Sequence, residues 1–221
     1  SDAIAGTSEA KLNKEGTHYI LNGQKLYVTN GRWADVSVTF AKVDGKYTSF
    51  ILDKDCKGWV KGAEEKKMGL KGSSTASYFY DNCMVPVENV LGKVGQGAPI
   101  AFNVLYPGRY KLGVTTCAGS KYIINKVLDF SFEREQFSRP ISNFGMIKNK
   151  FANMVVKSWE SDTINYMTSG SIDKSISKLD QIDNYYEFVQ KVIEDHSIES
   201  SISKIVGSEA LAYIVDEGVQ I

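Results

Sequence analysis

The sequence predicts an α+β protein in which an antiparallel β-sandwich or barrel over residues 1–96 precedes an antiparallel helical bundle over residues 97–221. Three observations carry that expectation. Short runs rich in β-branched and aromatic residues, separated by turn dipeptides, fill Thr17 to about Leu91. From Ala98 the alternation stops, and apolar residues recur at helical spacing, as at Ile100, Val104, Leu105 and Leu112. A chain of 221 residues is long enough to bury one large core or two small ones.

In chain order, the strand-like runs are THYILNG, QKLYVTNG, ADVSVTFAKV, YTSFILD, WVKGAEE and TASYFYDN. Asn22-Gly23 and Asp44-Gly45 each stand between two such runs and predict two-residue hairpins. Within QKLYVTNG, alternation places Lys25, Tyr27 and Thr29 on one face and turns Leu26 and Val28 toward a core. A ring and a hydroxyl about 7 Å apart on an extended chain suit a flat polar ligand, by stacking and by a hydrogen bond at its edge. The same pair is also what an ordinary exposed strand face contains.

The first helix is predicted over about Ala98–Glu135, with Gly108, Gly113 and Gly119 inside it and a kink near Tyr106 from Pro107. Those glycines serve a close approach, either to a ligand or to another helix. A second helix is predicted from about Ile141 to Thr168, inward along Phe144, Ile147, Phe151, Val155 and Trp159. SGSIDKSISKLD then interrupts, and a third helical region covers about Asn184–Gly218, inward along Ile198, Ile202, Ile205 and Val206.

Composition excludes several classes. Hydrophobic content of 43% with 24% charged residues is that of a globular protein. Lys plus Arg and Asp plus Glu are 26 each, so no net field draws nucleic acid or an anionic membrane. No apolar run reaches the length of a membrane span. Cys56, Cys83 and Cys117 are odd in number and lack metal spacing, which predicts free thiols in a reducing compartment; His18 and His196 suggest neither metal site nor triad. The opening SDAIAGTSEA and the closing VDEGVQI read as a piece of a longer chain.

The motifs narrow the field. SD at the start, YILNGQKLYVTNG, FAKVDGKYTSFILDKD, KMGLKGSSTASYFYDNCMVPVENVLG, VLYPGRY, FEREQFSRPISNFGMIKNKFANM and SKIVGSEALAYIVDEGVQI together resemble the acyl-CoA dehydrogenase flavoprotein family, and most closely its very-long-chain subgroup. The resemblance runs through nearly the whole chain in the family's order, and fits worst over Ser169–Asp195, which reads as an insertion or a lengthened helix pair. It implies the family's middle β domain (1–96) and a truncated C-terminal helical domain (97–221), without the N-terminal helical domain. It implies FAD as cofactor and oxidation of long-chain acyl-CoA to trans-2-enoyl-CoA in fatty-acid β-oxidation, with hydride passing to flavin N5. Electron-transfer flavoprotein is the implied electron acceptor, and the assembly a homodimer or homotetramer. The compartment would be bacterial cytoplasm or mitochondrial matrix. An acyl-CoA oxidase-like relative and a non-catalytic binding or assembly module of the same fold are the alternatives.

The resemblance also assigns residues. Tyr27 stands where the family packs an aromatic ring, usually Trp, on the flavin; Val28 follows, and Thr29 matches the hydroxyl residue near N5. Ser1 matches the serine of a Gly-Ser-Asp element beside flavin and substrate. Tyr106 and Arg109 match the CoA end of the substrate site, Arg134 the arginine that reaches a partner's FAD pyrophosphate, Gln136 and Phe137 its adenosine side. Gln220 matches the glutamine opening the Gln-x-x-Gly-Gly flavin element. No Glu-Gly-Thr element occurs, and the alternative position for the catalytic base, just before Arg109, is Gly108. The base is therefore expected beyond Ile221, and the chain alone is expected to be inactive and to hold FAD weakly.

Overall fold

Strand β2 (His18–Thr29) forms the spine of the first half of the molecule, because it pairs along its length with one strand and over Tyr19–Asn22 with another. The computed structural model describes residues 5–177 and 184–221. It divides into two units, one ending at Ala101 and one running from Phe102 to Ile221. The first contains β1 (Glu9–Leu12), β2, β3 (Val36–Val43), β4 (Lys46–Asp53), β5 (Trp59–Glu64), β6 (Thr75–Pro86) and β7 (Val90–Leu91) in the order β5-β6-β2-β1-β3-β4-β7. Every pairing is antiparallel except β1 with β3.

The sheet curls until its inner face meets itself. β3 and β6 are separated by two strands, yet Thr39 Oγ1 and Tyr80 Oη share a buried hydrogen bond of 2.7 Å. Tyr19 on β2 likewise meets Phe50 on β4 edge-on, with centroids 5.3 Å apart. Leu21, Phe50, Leu52, Tyr78, Cys83 and Val85 fill the enclosed core. This curled, sandwich-like sheet is the β domain that the strand texture predicts.

Two local expectations change. Asn22-Gly23 is not a hairpin, because β2 runs straight through it with a register slip between Leu21 and Gly23. Gly23 has φ +139°, and a Cβ there would stand 2.8 Å from Ser8 Cα, so the glycine admits a neighbouring chain. β1 has only Ala10 buried and therefore lacks the alternation by which a strand is recognised. Asp44-Gly45 does form the tight β3–β4 hairpin, with φ of 48° and 78° and Val43 opposite Lys46.

The second unit is helical. α1 (Gly97–Glu133) is a single helix with Pro107 inside it. A short hairpin, β8 (Glu135–Gln136) with β9 (Arg139–Pro140), leads to α2 (Gly145–Ile176). α2 extends past Thr168 into the stretch expected to interrupt it. The third helical region is two helices, α3 (Tyr185–Asp195) and α4 (Ser197–Gln220), meeting at His196. His196 is buried, with Nδ1 2.7 Å from the Val192 carbonyl and Nε2 3.0 Å from Ser171 Oγ. The insertion expected around Asp180 lies in part outside the described residues.

The predicted inner faces of α2 and α4 are corrected. Val155, Trp159, Ile198, Ile202 and Ile205 are exposed. The buried faces are Met154, Ser158, Ser161, Asn165 and Thr168 on α2, and Ser200, Ser203, Gly207, Ala210 and Ile214 on α4. The cause is backbone proximity. A Cβ on Gly113 of α1 would lie 2.7 Å from the Ser203 carbonyl oxygen, and one on Gly207 would lie 3.1 Å from Gly113 Cα. Helices this close admit only small residues between them.

Candidate functional site

The end of β2 is where the first unit presents its candidate ligand face. Lys25 pairs with Tyr78 and Val28 with Ala76, so both Leu26 and Tyr27 oppose Ser77 in a β-bulge. Tyr27 has φ 55°, a left-handed conformation that costs a bulky residue about 1–2 kcal/mol. The bulge breaks the expected alternation. Lys25 is half-buried on the inner side instead of sharing a face with Tyr27, and burial lowers its ammonium pKa. Leu26 is 56% exposed instead of buried, and Tyr27 is 71% exposed. Val28 packs against the core as expected. Thr29, opposite Thr75, looks outward.

The segment that follows is fixed by its backbone. Asn30 N donates to Ser74 O at 2.9 Å, Gly31 N to Val28 O at 3.1 Å and Ala34 N to Asn30 O at 2.9 Å. This tight turn leaves Trp33 exposed, an aromatic that the reading from the sequence does not single out.

In the second unit, two groups of predicted residues come together. Tyr106 and Arg109 lie one turn apart on α1, the guanidinium carbon 5.6 Å from the Tyr106 ring centroid, and Phe102 stacks on Tyr106 at 6.5 Å. Arg109 Nη1 donates to Ser201 Oγ on α4 at 3.2 Å, a partner with no signal in the sequence. The other group is the β8–β9 hairpin, which carries Gln136 and Phe137 directly after Arg134. Arg134 N donates to Phe130 O at 2.9 Å and Ile141 N to Arg134 O at 2.8 Å, closing the hairpin base. Its two turn residues, Phe137 (φ 53°) and Ser138 (φ 62°), are both left-handed, without the Asn-Gly pair that such turns favour. Phe137 is 87% exposed, its ring 6.1 Å from Phe144, over which Arg139 stands at 4.1 Å. Gln220 closes α4 and is exposed, and Ser1 lies outside the described residues.

A cavity of about 290 Å³ between α1 and α2, lined by Tyr110, Cys117, Lys121, Asp162 and Asn165 among others, contains none of the predicted site residues. Lys121 Nζ stands 2.8 Å from Asp162, whose carboxyl it holds below the usual range. Burial first, and then Asp162, push the Cys117 thiol up, which is the opposite of an activated nucleophile. Among the described residues no group of His, Cys, Asp and Glu could hold a metal ion, and no helix is long and apolar enough to cross a membrane.

Residues 1–83 match the family description "Acyl-CoA dehydrogenase, middle domain", and residues 95–221 match "Acyl-CoA dehydrogenase, C-terminal domain". The chain belongs to the acyl-CoA dehydrogenase family. All of it aligns at 44% identity with a probable acyl-CoA dehydrogenase of Bacillus subtilis, of which it spans 38%. It is 36% identical to the mitochondrial very long-chain specific acyl-CoA dehydrogenase of Rattus norvegicus, again along the whole chain and over 33% of that protein. The crystal structure of an acyl-CoA dehydrogenase from Bacillus anthracis, complexed with FAD, superposes with a TM-score of 0.91 at 42% identity, covering 99% of this chain and 38% of that one. The chain therefore spans 33–38% of the length of these relatives.

Proposed function

We propose that the protein carrying this chain is an FAD-dependent dehydrogenase that converts long-chain acyl-CoA to trans-2-enoyl-CoA in fatty-acid β-oxidation. The observation that carries this reading is the bulge that turns Tyr27 outward beside Thr29, at strained backbone cost and with no core role for the ring. Strain held at an exposed aromatic marks a residue that something else must meet. Bound FAD would supply the two-electron acceptor.

The residues present fit that group. Tyr27 offers a π face, Thr29 a hydroxyl for a heteroatom at a ring edge, and Val28 anchors both to the core. Arg134 provides a guanidinium fork suited to the pyrophosphate of a second subunit's FAD, with Gln136 and the exposed Phe137 ring beside it for that cofactor's adenosine end. Gln220 and Ser1 are assigned to the same cofactor by the family pattern, and Ser1 also to the substrate. Tyr106 and Arg109 would take the CoA end of the thioester. Gly108 carries no side chain and meets nothing within 4 Å, so we place the α-proton base, a glutamate, in a segment outside residues 1–221. Electron-transfer flavoprotein is the proposed acceptor. Assembly as a homodimer or homotetramer is supported by the outward apolar side chains of α2 and α4.

The test is anaerobic titration of the full-length protein with acyl-CoA of increasing chain length. Bleaching of the flavin band at lowest concentration with a long-chain thioester is expected. Failure of every acyl-CoA to bleach a stoichiometric flavin would refute the dehydrogenase reading. Tyr27→Ala should release FAD on gel filtration.

A further inference from the structure

This inference rests on reading Arg109 as a contact for the anionic CoA end of the substrate. We propose that Ser201 is a positioning residue for Arg109: its hydroxyl aims the guanidinium without spending its charge.

The geometry has three parts. Arg109 Nη1 donates to Ser201 Oγ at 3.2 Å, while the guanidinium carbon rests 5.6 Å from the Tyr106 ring centroid. One contact comes from α4 and the other from α1, so the plane of the fork is held from two helices. Ser201 Oγ in turn donates its own proton to Ser197 O at 2.8 Å. That commitment leaves only lone pairs toward Arg109, and the serine acts there as a pure acceptor.

The acceptor is neutral, which matters most. The ion pairs among the described residues are Lys121–Asp162, Lys150–Glu217 and Lys191–Asp195, and none includes Arg109. Of five guanidinium donors, Ser201 takes one. The remaining donors and the whole positive charge stay available to an anion such as a nucleotide phosphate. A carboxylate at position 201 would hold Arg109 more firmly but cancel the charge that a phosphate needs. A merely structural helix–helix contact would be improved by that exchange, whereas a substrate anchor would be spoiled by it.

The experiment measures kcat and KM of the full-length, FAD-loaded protein with an acyl-CoA and with the matching acyl-pantetheine, which lacks the nucleotide phosphates. Ser201→Ala is expected to raise KM for acyl-CoA about 3–10-fold, the scale of one hydrogen bond, with kcat and the acyl-pantetheine values unchanged. Ser201→Thr, which keeps the back-bonded hydroxyl, should restore KM. Ser201→Glu should raise it beyond the alanine variant. If Arg109→Ala raises KM and Ser201→Ala does not, the positioning role is wrong while the substrate reading of Arg109 stands. If Arg109→Ala leaves KM unchanged, both fall. If Ser201→Glu lowers KM for acyl-CoA, or if both substrates suffer equally from Ser201→Ala, the contact only joins the helices and the proposal is overturned.

Discussion

The two units of this chain solve the problem of an interior in opposite ways. The β unit buries large apolar and aromatic side chains, Phe50, Leu21, Leu52 and Tyr78, inside a sheet curled on itself. The helical unit buries Ser120, Ser158, Ser161, Asn165, Thr168, Ser200 and Ser203, and turns Trp159, Tyr166, Ile198 and Val219 outward. Each unit leaves a buried polar atom without a partner among the described residues, Trp59 Nε1 in the first and Asn165 Nδ2 in the second, while Thr39 and Tyr80 satisfy one another. The first interior is held by area removed from water. The second is held by backbone proximity, and its larger apolar surface faces away from it.

That contrast can be broken at its strongest point first. Phe50→Ala should cost about 3–5 kcal/mol, the range for emptying a filled aromatic site, while Trp159→Ala should stay within about 0.5 kcal/mol in the dissociated monomer, where no second copy covers it. Urea unfolding of both variants tests this, and equal losses would erase the distinction. Next in size is Gly113→Ala. Helix propensity alone predicts a gain of about 1 kcal/mol. Contact with the Ser203 backbone predicts a loss of about 1–3 kcal/mol, so the sign of the shift decides which force rules the helical unit.

How far the sequence could be read follows the same division. In the β unit, the strand-like run THYILNG and the Asp44-Gly45 turn are local signals, and they hold. Asn22-Gly23 misleads because its glycine answers to Ser8, a residue 15 positions earlier that no local window weighs. The Tyr27 bulge is equally hidden, since two residues facing one is a property of the pair of strands. In the helices, large apolar residues are assumed to face inward. Here the close approach of Gly113 and Gly207 reverses that order and leaves serines inside. The Arg109–Ser201 contact joins helices 92 residues apart in the chain, and serine announces nothing at that distance. The family resemblance is legible because it pools many such positions at once.

Two smaller effects sharpen the comparison through pH. Lys121 holds the Asp162 pKa down, so the stability from this pair is present above the ordinary carboxylate range and is lost as pH falls through the depressed value. Asp162→Asn should cost at most about 1 kcal/mol at neutral pH, because the pair is partly exposed. That cost should shrink as pH falls through the depressed value, where the Asp162 carboxyl takes up its proton in the folded state as well. For Lys25 the sign is reversed. Burial lowers its pKa in the folded state, so the unfolded chain binds the proton more tightly and stability rises with pH between the two values. Lys25→Met should stabilise the β unit at neutral pH and flatten that slope in thermal melts taken across alkaline pH.

The glycine contact between α1 and α4 also has a consequence in time. Gly113 and Gly207 touch across 94 residues of chain. At about 5–20 residues per second, a ribosome releases the α1 face roughly 5–20 s before the surface that covers it exists. α1 is therefore made early and completed late. Its nascent form leaves Ile123 and Val127, the α1 side chains against which Gly218 of α4 later packs, uncovered throughout that interval.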